Sequence, residues 1–171
     1  LDLDGIWDRD RYCQLLQPLA VATGANRVYY YEVDVEDRDR FRQIAEWSDA
    51  DTPSSLGIPE VAAFERQGPL ASWLAALEQG HCVNQTLEEF PPAVQPLFSC
   101  APLNIRSVLL LPLIVRGTFC GTIGFSNCQQ ARKWSPAEVT LLRIAANAMA
   151  IALERLQAEV SLRQAENKYR S

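Results

Sequence analysis

Residues 107–126 restrict the possible folds most strongly, because they read as two strands joined by a tight turn. The stretch from Ser107 to Val115 is almost entirely apolar, the pair Arg116-Gly117 follows, and Thr118 begins a second strand that reaches residue 126. A strand without polar alternation belongs in the middle of a sheet. Pro112 inside it predicts a bulge or a missing ladder bond. The segment therefore predicts a hairpin at the centre of a sheet.

The rest of the chain supplies helices and strands around this hairpin. We predict a helix from Arg9 to about Thr23, capped by Asp8, interrupted at Pro18 and ended by Gly24. Further predicted elements are strands over 27–33, 41–47 and 81–84, a helix over 69–79 and a short helix over 93–98. Two stretches between them, 48–68 and 85–104, are irregular and hold many of the prolines. A mixed α+β fold follows.

A long helix closes the chain. Ser135 and Glu138 form a capping box with Pro136 at the first helical position, and neither Gly nor Pro occurs from there to Tyr169. Such a helix would span ~51 Å, whereas a domain of this size has a radius of gyration of only ~15 Å. Its apolar residues are spaced by four and three, as in a coiled coil. The seam comprises Leu142, Ala146, Met149, Leu153, Leu156 and Val160. We expect its first half to pack on the sheet of its own domain. We expect the second half, with Leu156 and Val160, to join a homodimer or act as a signalling linker, because only a partner could cover these residues beyond the domain.

Composition excludes several classes of function. The 16 Lys and Arg against 21 Asp and Glu, a net charge of −5, argue against a nucleic-acid partner. The longest apolar stretch is strand-sized, so we predict no transmembrane helix and no membrane partner. Five irregularly spaced cysteines predict reduced thiols in the cytoplasm. The single histidine, His81, supplies neither a zinc site nor a catalytic triad. Because the chain begins with Leu1, we expect it to be a piece of a longer protein.

Three segments resemble the GAF domain family. They are TGANRVYYY from Thr23, NIRSVLLLPLIVRGTFCGTIGF from Asn104 and RKWSPAEVTLL from Arg132. The resemblance covers about residues 8–158 and implies a six-stranded, mainly antiparallel sheet with helices packed on its faces. It places the GAF domain at 1–158. The tail, 159–171, resembles a signalling helix that leads into a PAS domain, notably in cyanobacterial sensor proteins.

In this family the ligand pocket lies between the sheet and the irregular segments, here 48–68 and 85–104. A small-molecule site is a concave, largely apolar pocket with a few polar groups. Large side chains in or near those segments, and polar groups on the adjoining strands, fit that description. Arg106 could clamp an anionic ligand. The alternative is that Arg106 is a surface residue of a strand and that the tyrosines are simply core residues. The predicted ligand-binding residues are Tyr29, Tyr31, Phe64, Phe98, Cys100, Asn104 and Arg106.

Three functions are compatible with the sequence. The first is a sensory module without catalysis, which relays a signal through its C-terminal helix to an output domain such as a histidine kinase or diguanylate cyclase. The second is a bilin photoreceptor, but Ala101 follows Cys100 where that family has histidine, and His81-Cys82 has the reverse order. The third is an enzyme resembling free methionine sulfoxide reductases, which would need a thiolate and a resolving cysteine. Its candidates are Cys82, Cys100 and Cys120. No cofactor is identified.

Overall fold

The computed structural model describes residues 3–170, with the side chains of 9–170. Six strands and five helices follow one another along this part of the chain. Their bounds are α1 Leu3–Thr23, β1 Arg27–Val33, β2 Arg40–Ser48, α2 Pro59–Ala62, β3 Ala63–Glu65, α3 Ala71–Glu78, β4 Val83–Thr86, α4 Gln95–Ser99, β5 Ser107–Val115, β6 Thr118–Asn127 and α5 Pro136–Arg170. A single 3₁₀ turn, Leu87–Glu89, follows β4.

The strands form one sheet in the order β3-β2-β1-β6-β5-β4, and every pairing is antiparallel. The predicted hairpin is its β5–β6 pair. Arg116 and Gly117 in the turn have positive φ angles of 53° and 76°. Two successive residues with positive φ give a turn whose twist matches the flanking strands. The α+β prediction and the six-stranded antiparallel sheet are confirmed.

Pro112 is accommodated near the end of the β4–β5 pairing. β4 pairs with β5 only from Ser107 to Leu110, so β5 has one neighbour at Pro112. A proline is tolerated where one side of a strand has no partner. The predicted irregularity is present one residue further on, as a register shift between Leu113 and Ile114.

Each face of the sheet is covered by a different set of elements. On β5, Leu109, Leu111 and Leu113 join one core cluster, which includes α1 and α5. Their neighbours Val108 and Leu110 belong to a second cluster, with α3, α4 and the irregular segments. This alternation follows from the two-residue period of a strand. Each residue of β5 that faces the second cluster is therefore next in sequence to a residue that packs on the α1 and α5 side.

The C-terminal helix begins as predicted. The Ser135 backbone N–H donates to Glu138 Oε1 at 3.1 Å, and the Glu138 N–H donates to Ser135 Oγ at 3.2 Å. These two bonds are the capping box. α5 then runs without interruption for 35 residues, which corresponds to about 52 Å.

The first half of the predicted seam packs on the sheet as expected, but its second half also lies inside the domain. Leu142, Ala146, Leu153 and Leu156 are buried in the cluster that α5 shares with the sheet and α1, and Met149 and Val160 pack against it. The prediction assumed that Leu156 extends beyond the domain. α1 covers this part of α5 instead, and Arg11 on α1 pairs with Glu159 at 2.6 Å. This set, the inner seam, is therefore core and not an exposed surface.

Four other boundaries differ from the prediction. α1 begins before Asp8, so Asp8 lies within the helix instead of capping it. Pro18 does not interrupt α1, because it is exposed and its missing hydrogen bond falls on the solvent side. The predicted irregular stretch 48–68 contains α2 and β3. His81 precedes β4, since its N–H donates to Ala76 O at 2.9 Å and so completes the end of α3.

α5 is long and apolar enough, by length and composition, to cross a membrane. Its most apolar 18-residue window has a mean hydropathy of 1.3. The sequence prediction considered only consecutive apolar residues and found no such helix. The difference arises because α5 has apolar residues on two faces, of which one packs on the sheet. Only 22% of that window is buried in the domain.

Candidate functional site

A cavity that is partly open to solvent lies between the sheet and the irregular segments, where the family resemblance placed the pocket. Its volume is about 70 Å³, which is room for a few water-sized molecules at about 10–15 Å³ each. Strands β1, β2, β5 and β6 form its floor, and α3 with the two irregular segments forms its roof. Its lining comprises Arg27, Tyr29, Tyr31, Phe41, Gln43, Ser55, Val61, Phe64, Leu70, Trp73, Leu74, Leu77, Phe98, Leu103, Ile105, Val108, Leu110, Thr122 and Ser126.

Tyr29 and Tyr31 project into the cavity because alternate residues of β1 share one face of the sheet. Ser126 Oγ donates to Tyr29 Oη at 3.2 Å, and the Tyr31 hydroxyl donates to the carbonyl of Val61. Burial raises the pKa of Tyr29 to about 12, and it also raises the pKa of Tyr31. Both phenols are therefore neutral at physiological pH.

The Tyr29 ring lies across β6 at Gly124. A Cβ placed on Gly124 would collide with that ring and would lie 2.8 Å from Leu110 Cδ2. No side chain fits at this position without displacing one of them. Gly124 therefore sets how closely Tyr29 packs on the floor of the cavity.

Aromatic side chains from three elements form the roof. Trp73 on α3 packs against Phe98 on α4 with ring centroids 6.3 Å apart, and its Nε1 donates to Gln85 Oε1 at 3.0 Å. Phe90 packs edge-on to Trp73 at 5.2 Å. Phe64 lies beside Tyr31 at 5.9 Å. These contacts make the cavity wall almost wholly apolar.

Arg27, on β1, holds both irregular segments at one end of the cavity. It is only 1% exposed. Its Nε donates to Pro53 O at 3.0 Å, its Nη1 to Leu103 O at 2.7 Å and its Nη2 to Pro102 O at 2.8 Å. No carboxylate of the described residues lies within ion-pair distance of Arg27. Nη1 also donates to Cys128 Sγ at 3.3 Å, and because burial raises the pKa of that thiol it stays neutral.

Glu46, on β2, binds the same segment with the opposite charge. Its carboxylate oxygens accept hydrogen bonds from the Ser55 N–H at 2.9 and 3.1 Å, and from the Ser55 hydroxyl. Glu46 is 5% exposed and pairs with Tyr29 across the β1–β2 ladder. A buried cation and a buried anion thus clamp residues 53–55 over the edge of the cavity. Hydrogen-bonded charges in a low-dielectric interior hold such segments firmly.

Four of the seven predicted ligand-binding residues come together in this cavity: Tyr29, Tyr31, Phe64 and Phe98. The other three, Cys100, Asn104 and Arg106, are exposed and lie outside the cavity wall. Asn104 occupies a left-handed turn with φ of 48°.

Sequence reasoning missed Arg27, Glu46 and Ser55. Arg27 and Glu46 lie in predicted strands, where a charged side chain is usually exposed to solvent. Only Arg27 had a signal in the sequence, because it lies two residues before Tyr29 and residues two apart in a strand share a face.

The five cysteines are all free thiols. Cys100 is exposed, and the other four are partly buried. Within residues 3–170, no group of three His, Cys, Asp or Glu side chains is arranged to hold a metal ion. Besides the guanidinium of Arg27, the cavity offers neutral hydroxyl and amide groups around apolar walls.

The GAF domain family model matches residues 10–153. The chain belongs to the GAF domain family. Its curated relatives are histidine kinases. It is 24% identical over 155 residues to the methanogenesis regulatory histidine kinase FilI of Methanothrix harundinacea, which covers 90% of the chain and 17% of FilI. It is 31% identical over 117 residues to the circadian input-output histidine kinase CikA of Thermosynechococcus vestitus, covering 67% of the chain and 16% of CikA. The chain thus spans about a sixth of these relatives.

Solved structures with the same fold are also GAF domains. The cyanobacteriochrome TePixJ GAF domain superposes with a TM-score of 0.68 at 22% identity, over 87% of this chain and 92% of that one. The red-light-absorbing state of the red/green cyanobacteriochrome NpR6012g4 gives a TM-score of 0.70 at 16% identity, over 88% and 96%. A GAF/HD domain protein from Geobacter sulfurreducens gives 0.68 at 16% identity, over 88% and 94%. At these identities the likeness shows the fold alone.

Proposed function

We propose that this GAF domain is a cytoplasmic sensory module without catalysis of its own. A small, uncharged, largely apolar molecule binds in its cavity, and α5 carries the change to a histidine kinase output domain in the same protein. The observation that supports this most directly is the cavity with aromatic walls on one face of β5, with α5 on the other. The kinase names of both curated relatives support the output domain.

The ligand class follows from the groups that face the cavity. Its polar groups are the neutral Tyr29, Tyr31, Gln43, Ser55, Thr122 and Ser126, besides Arg27. The hydrogen bonds of Arg27 described above already go to three main-chain carbonyls and a thiol. An anionic ligand would have to displace these bonds, whereas a neutral aromatic ligand would need only the apolar walls.

The lining of the cavity favours this reading over a covalently attached bilin, because it contains no cysteine. Cys100, the predicted attachment residue of the photoreceptor alternative, lies on the surface outside the cavity wall. A sensor needs only that its ligand prefers one of two arrangements of the domain.

The proposed module acts as a homodimer through its C-terminal helix, with residues 159–171 leading towards a PAS-like or kinase domain. The length of α5 supports this proposal. The last ten residues of the helix, 161–170, are almost entirely exposed.

Ligand binding can be tested with indole and benzene as neutral probes and indole-3-carboxylate as the charged control. NMR of the ¹⁵N-labelled chain would follow the side-chain N–H of Trp73, which lines the cavity. We expect saturable shifts with a neutral probe and at least about tenfold weaker binding of the carboxylate, a difference of about 1.4 kcal/mol. Preferential binding of the carboxylate would contradict the assigned ligand class, and no saturable binding of either neutral probe would contradict the site.

Native and denaturing mass spectrometry of the purified chain provides an independent test. Extra mass that is lost on denaturation would identify a non-covalent ligand and narrow its class. Extra mass that is retained would instead support a bilin attached to Cys100 or Cys82, and would overturn the proposal.

A further inference from the structure

The edge strand β4 lies between the roof of the cavity and the start of α5. Successive residues of a strand point to opposite faces of the sheet. Gln85 pairs with Val108, whose side chain faces the cavity, whereas its neighbour Asn84 pairs with Leu109, which belongs to the cluster around α1 and α5. Two adjacent side chains of one short strand therefore contact the two sides of the sheet that a ligand signal has to connect.

On the cavity side, Gln85 holds an aromatic residue of the roof. Its Oε1 accepts a hydrogen bond of 3.0 Å from Nε1 of Trp73, which lines the cavity. Trp73 is only 5% exposed. Breaking the hydrogen bond of a buried N–H without replacing it costs free energy. A ligand that displaces the Trp73 ring will therefore tend to move Gln85, and β4 with it.

On the helix side, Asn84 holds the main chain immediately before α5 with two hydrogen bonds. Its Nδ2 donates to Trp134 O at 2.8 Å, and the Trp134 N–H donates to Asn84 Oδ1 at 3.2 Å. Trp134 is only 2% exposed, and the next residue, Ser135, forms the capping box described above. A movement of Asn84 is therefore passed to the first turn of α5 through a single residue.

Arg143, about two turns into α5, makes a second connection to the same edge. Its Nη2 donates to Gly80 O at 2.9 Å, and its Nη1 donates to Cys82 Sγ at 3.2 Å. Gly80 follows the end of α3, which forms part of the cavity roof, and Cys82 immediately precedes β4. Lys133 also pairs with Glu89 at 2.6 Å, but both side chains are about half exposed, so this ion pair contributes little.

We propose that β4 carries the change from the cavity to α5 around the edge of the sheet, with Asn84 and Arg143 as the positioning residues that transmit it. The inference rests on the proposed sensory function and assigns the route of its signal. β4 pairs only with β5, over four residues, whereas β5 and β6 pair over nine residues and each has a second neighbour. Elements with few contacts are the ones that move within a folded domain, so β4 moves more easily than the central hairpin.

Two other links connect the sheet to α5 or to the segment before it. Asn26 accepts a hydrogen bond from the Cys128 N–H at 2.7 Å and donates one to Asp49 at 2.8 Å. Residues 128–135 are irregular, so this link reaches α5 only through a flexible connection. Arg116, in the hairpin turn, pairs with Glu154 at 3.2 Å, but its side chain is 84% exposed and the pair is weak. Both links provide matched controls.

NMR of the ¹⁵N-labelled chain, titrated with indole, distinguishes the routes. The side-chain N–H of Trp73 reports binding, and that of Trp134, in the cluster on the opposite face, reports the response near α5. In the wild type we expect both signals to shift with the same Kd. Asn84→Leu keeps the branched shape but removes both hydrogen bonds, and it should reduce the Trp134 shift at least about fivefold while the Kd at Trp73 changes less than about twofold. Asn26→Leu, at an equally half-buried position with two hydrogen bonds, should retain the wild-type response.

Arg143→Met is a second variant that should fold, because the side chain is exposed. We expect it to reduce the indole-induced shifts of the main-chain amides of 140–146 at least about threefold. Arg116→Met, which removes the other arginine link to α5, should leave these shifts unchanged.

The outcomes separate this route from the proposed function. A full response in Arg143→Met, or in an Asn84→Leu variant that circular dichroism shows to be folded, would overturn the route around the edge. A wild type in which Trp73 shifts saturably while Trp134 and 140–146 do not respond would also overturn it, and would leave ligand binding in place. Absence of any saturable shift at Trp73 would overturn the proposed function, and the route with it.

Discussion

Replacing Arg27 with methionine should loosen both irregular segments that cover the cavity. Methionine keeps much of the length and the apolar stem of arginine but removes all five donors. The carbonyls of Pro53, Pro102 and Leu103 would lose their partners at once. Because these carbonyls belong to two segments far apart in sequence, one substitution should affect both.

The expected loss of stability follows from these bonds. Three hydrogen bonds from a charged donor, at about 1.5 kcal/mol each, come to about 4–5 kcal/mol. Burying a guanidinium without a carboxylate partner itself costs on the order of a few kcal/mol, and the variant recovers that term. We therefore expect the free energy of unfolding to fall by about 2–3 kcal/mol, a large share of the stability of a domain.

Urea denaturation measures the global loss, and amide hydrogen exchange locates it. We expect faster exchange in 49–58 and 100–104 while the β5–β6 hairpin keeps its protection. Arg106→Met is the matched control, since Arg106 is exposed and its loss should cost less than about 0.5 kcal/mol. Two outcomes would refute the assigned role of Arg27 in holding the irregular segments. One is an Arg27→Met variant as stable as this control, and the other is a loss of stability without faster hydrogen exchange in 49–58 and 100–104.

Three further outcomes are expected. Gly124→Ala should push the Tyr29 ring into the cavity. The free energy of unfolding in urea should fall by about 1–3 kcal/mol, and indole should no longer bind. Unchanged indole binding would contradict the packing of Tyr29 on Gly124. Glu32→Gln should stabilise the domain at pH 7 but not at pH 4. Burial raises the pKa of the Glu32 carboxyl in the folded protein. The stability of the wild type therefore falls as the pH rises from the unfolded pKa of about 4.3 through the folded pKa. Equal stability of the wild type and the Glu32→Gln variant at pH 7 would contradict this. Ser135→Ala should cost about 1 kcal/mol. A hydrogen bond from the Ser135 backbone lowers the pKa of Glu138, so the contribution of that carboxylate is present above about pH 4.3 and lost as pH falls through the lowered pKa. A Ser135→Ala variant that melts at the wild-type temperature at pH 7 would show that the box contributes little.

Local signals in the sequence were sufficient for much of the fold. The apolar run before Arg116-Gly117 predicted the central hairpin, and Ser135 with Glu138 predicted the start of α5. The interactions behind these patterns join residues that are close in sequence, so they can be predicted without knowledge of the rest of the fold. The short strand β3 and the start of β4 were missed, because three or four residues carry too little periodicity and their pairing depends on distant strands.

Part of the candidate site could likewise be predicted from the sequence, and part could not. The aromatic residues Tyr29, Tyr31, Phe64 and Phe98 could be predicted to line a cavity, because large apolar side chains near a sheet have to be buried somewhere. The roles of Arg27 and Glu46 could not be predicted. Their partners are main-chain groups of irregular segments up to 76 residues away in sequence, and no local pattern encodes such a contact.

The C-terminal helix shows the limit most clearly. The sequence alone determined that 136–170 is a helix, through its capping box and the absence of Gly and Pro. It also contains two seams of the same spacing, one beginning at Leu141 and the other at Leu142, and successive residues of a helix lie about 100° apart. Either seam could have faced the sheet. Only the tertiary structure decided between them, because the sheet and α1 together bury the seam with Leu153 and Leu156 and leave the other exposed.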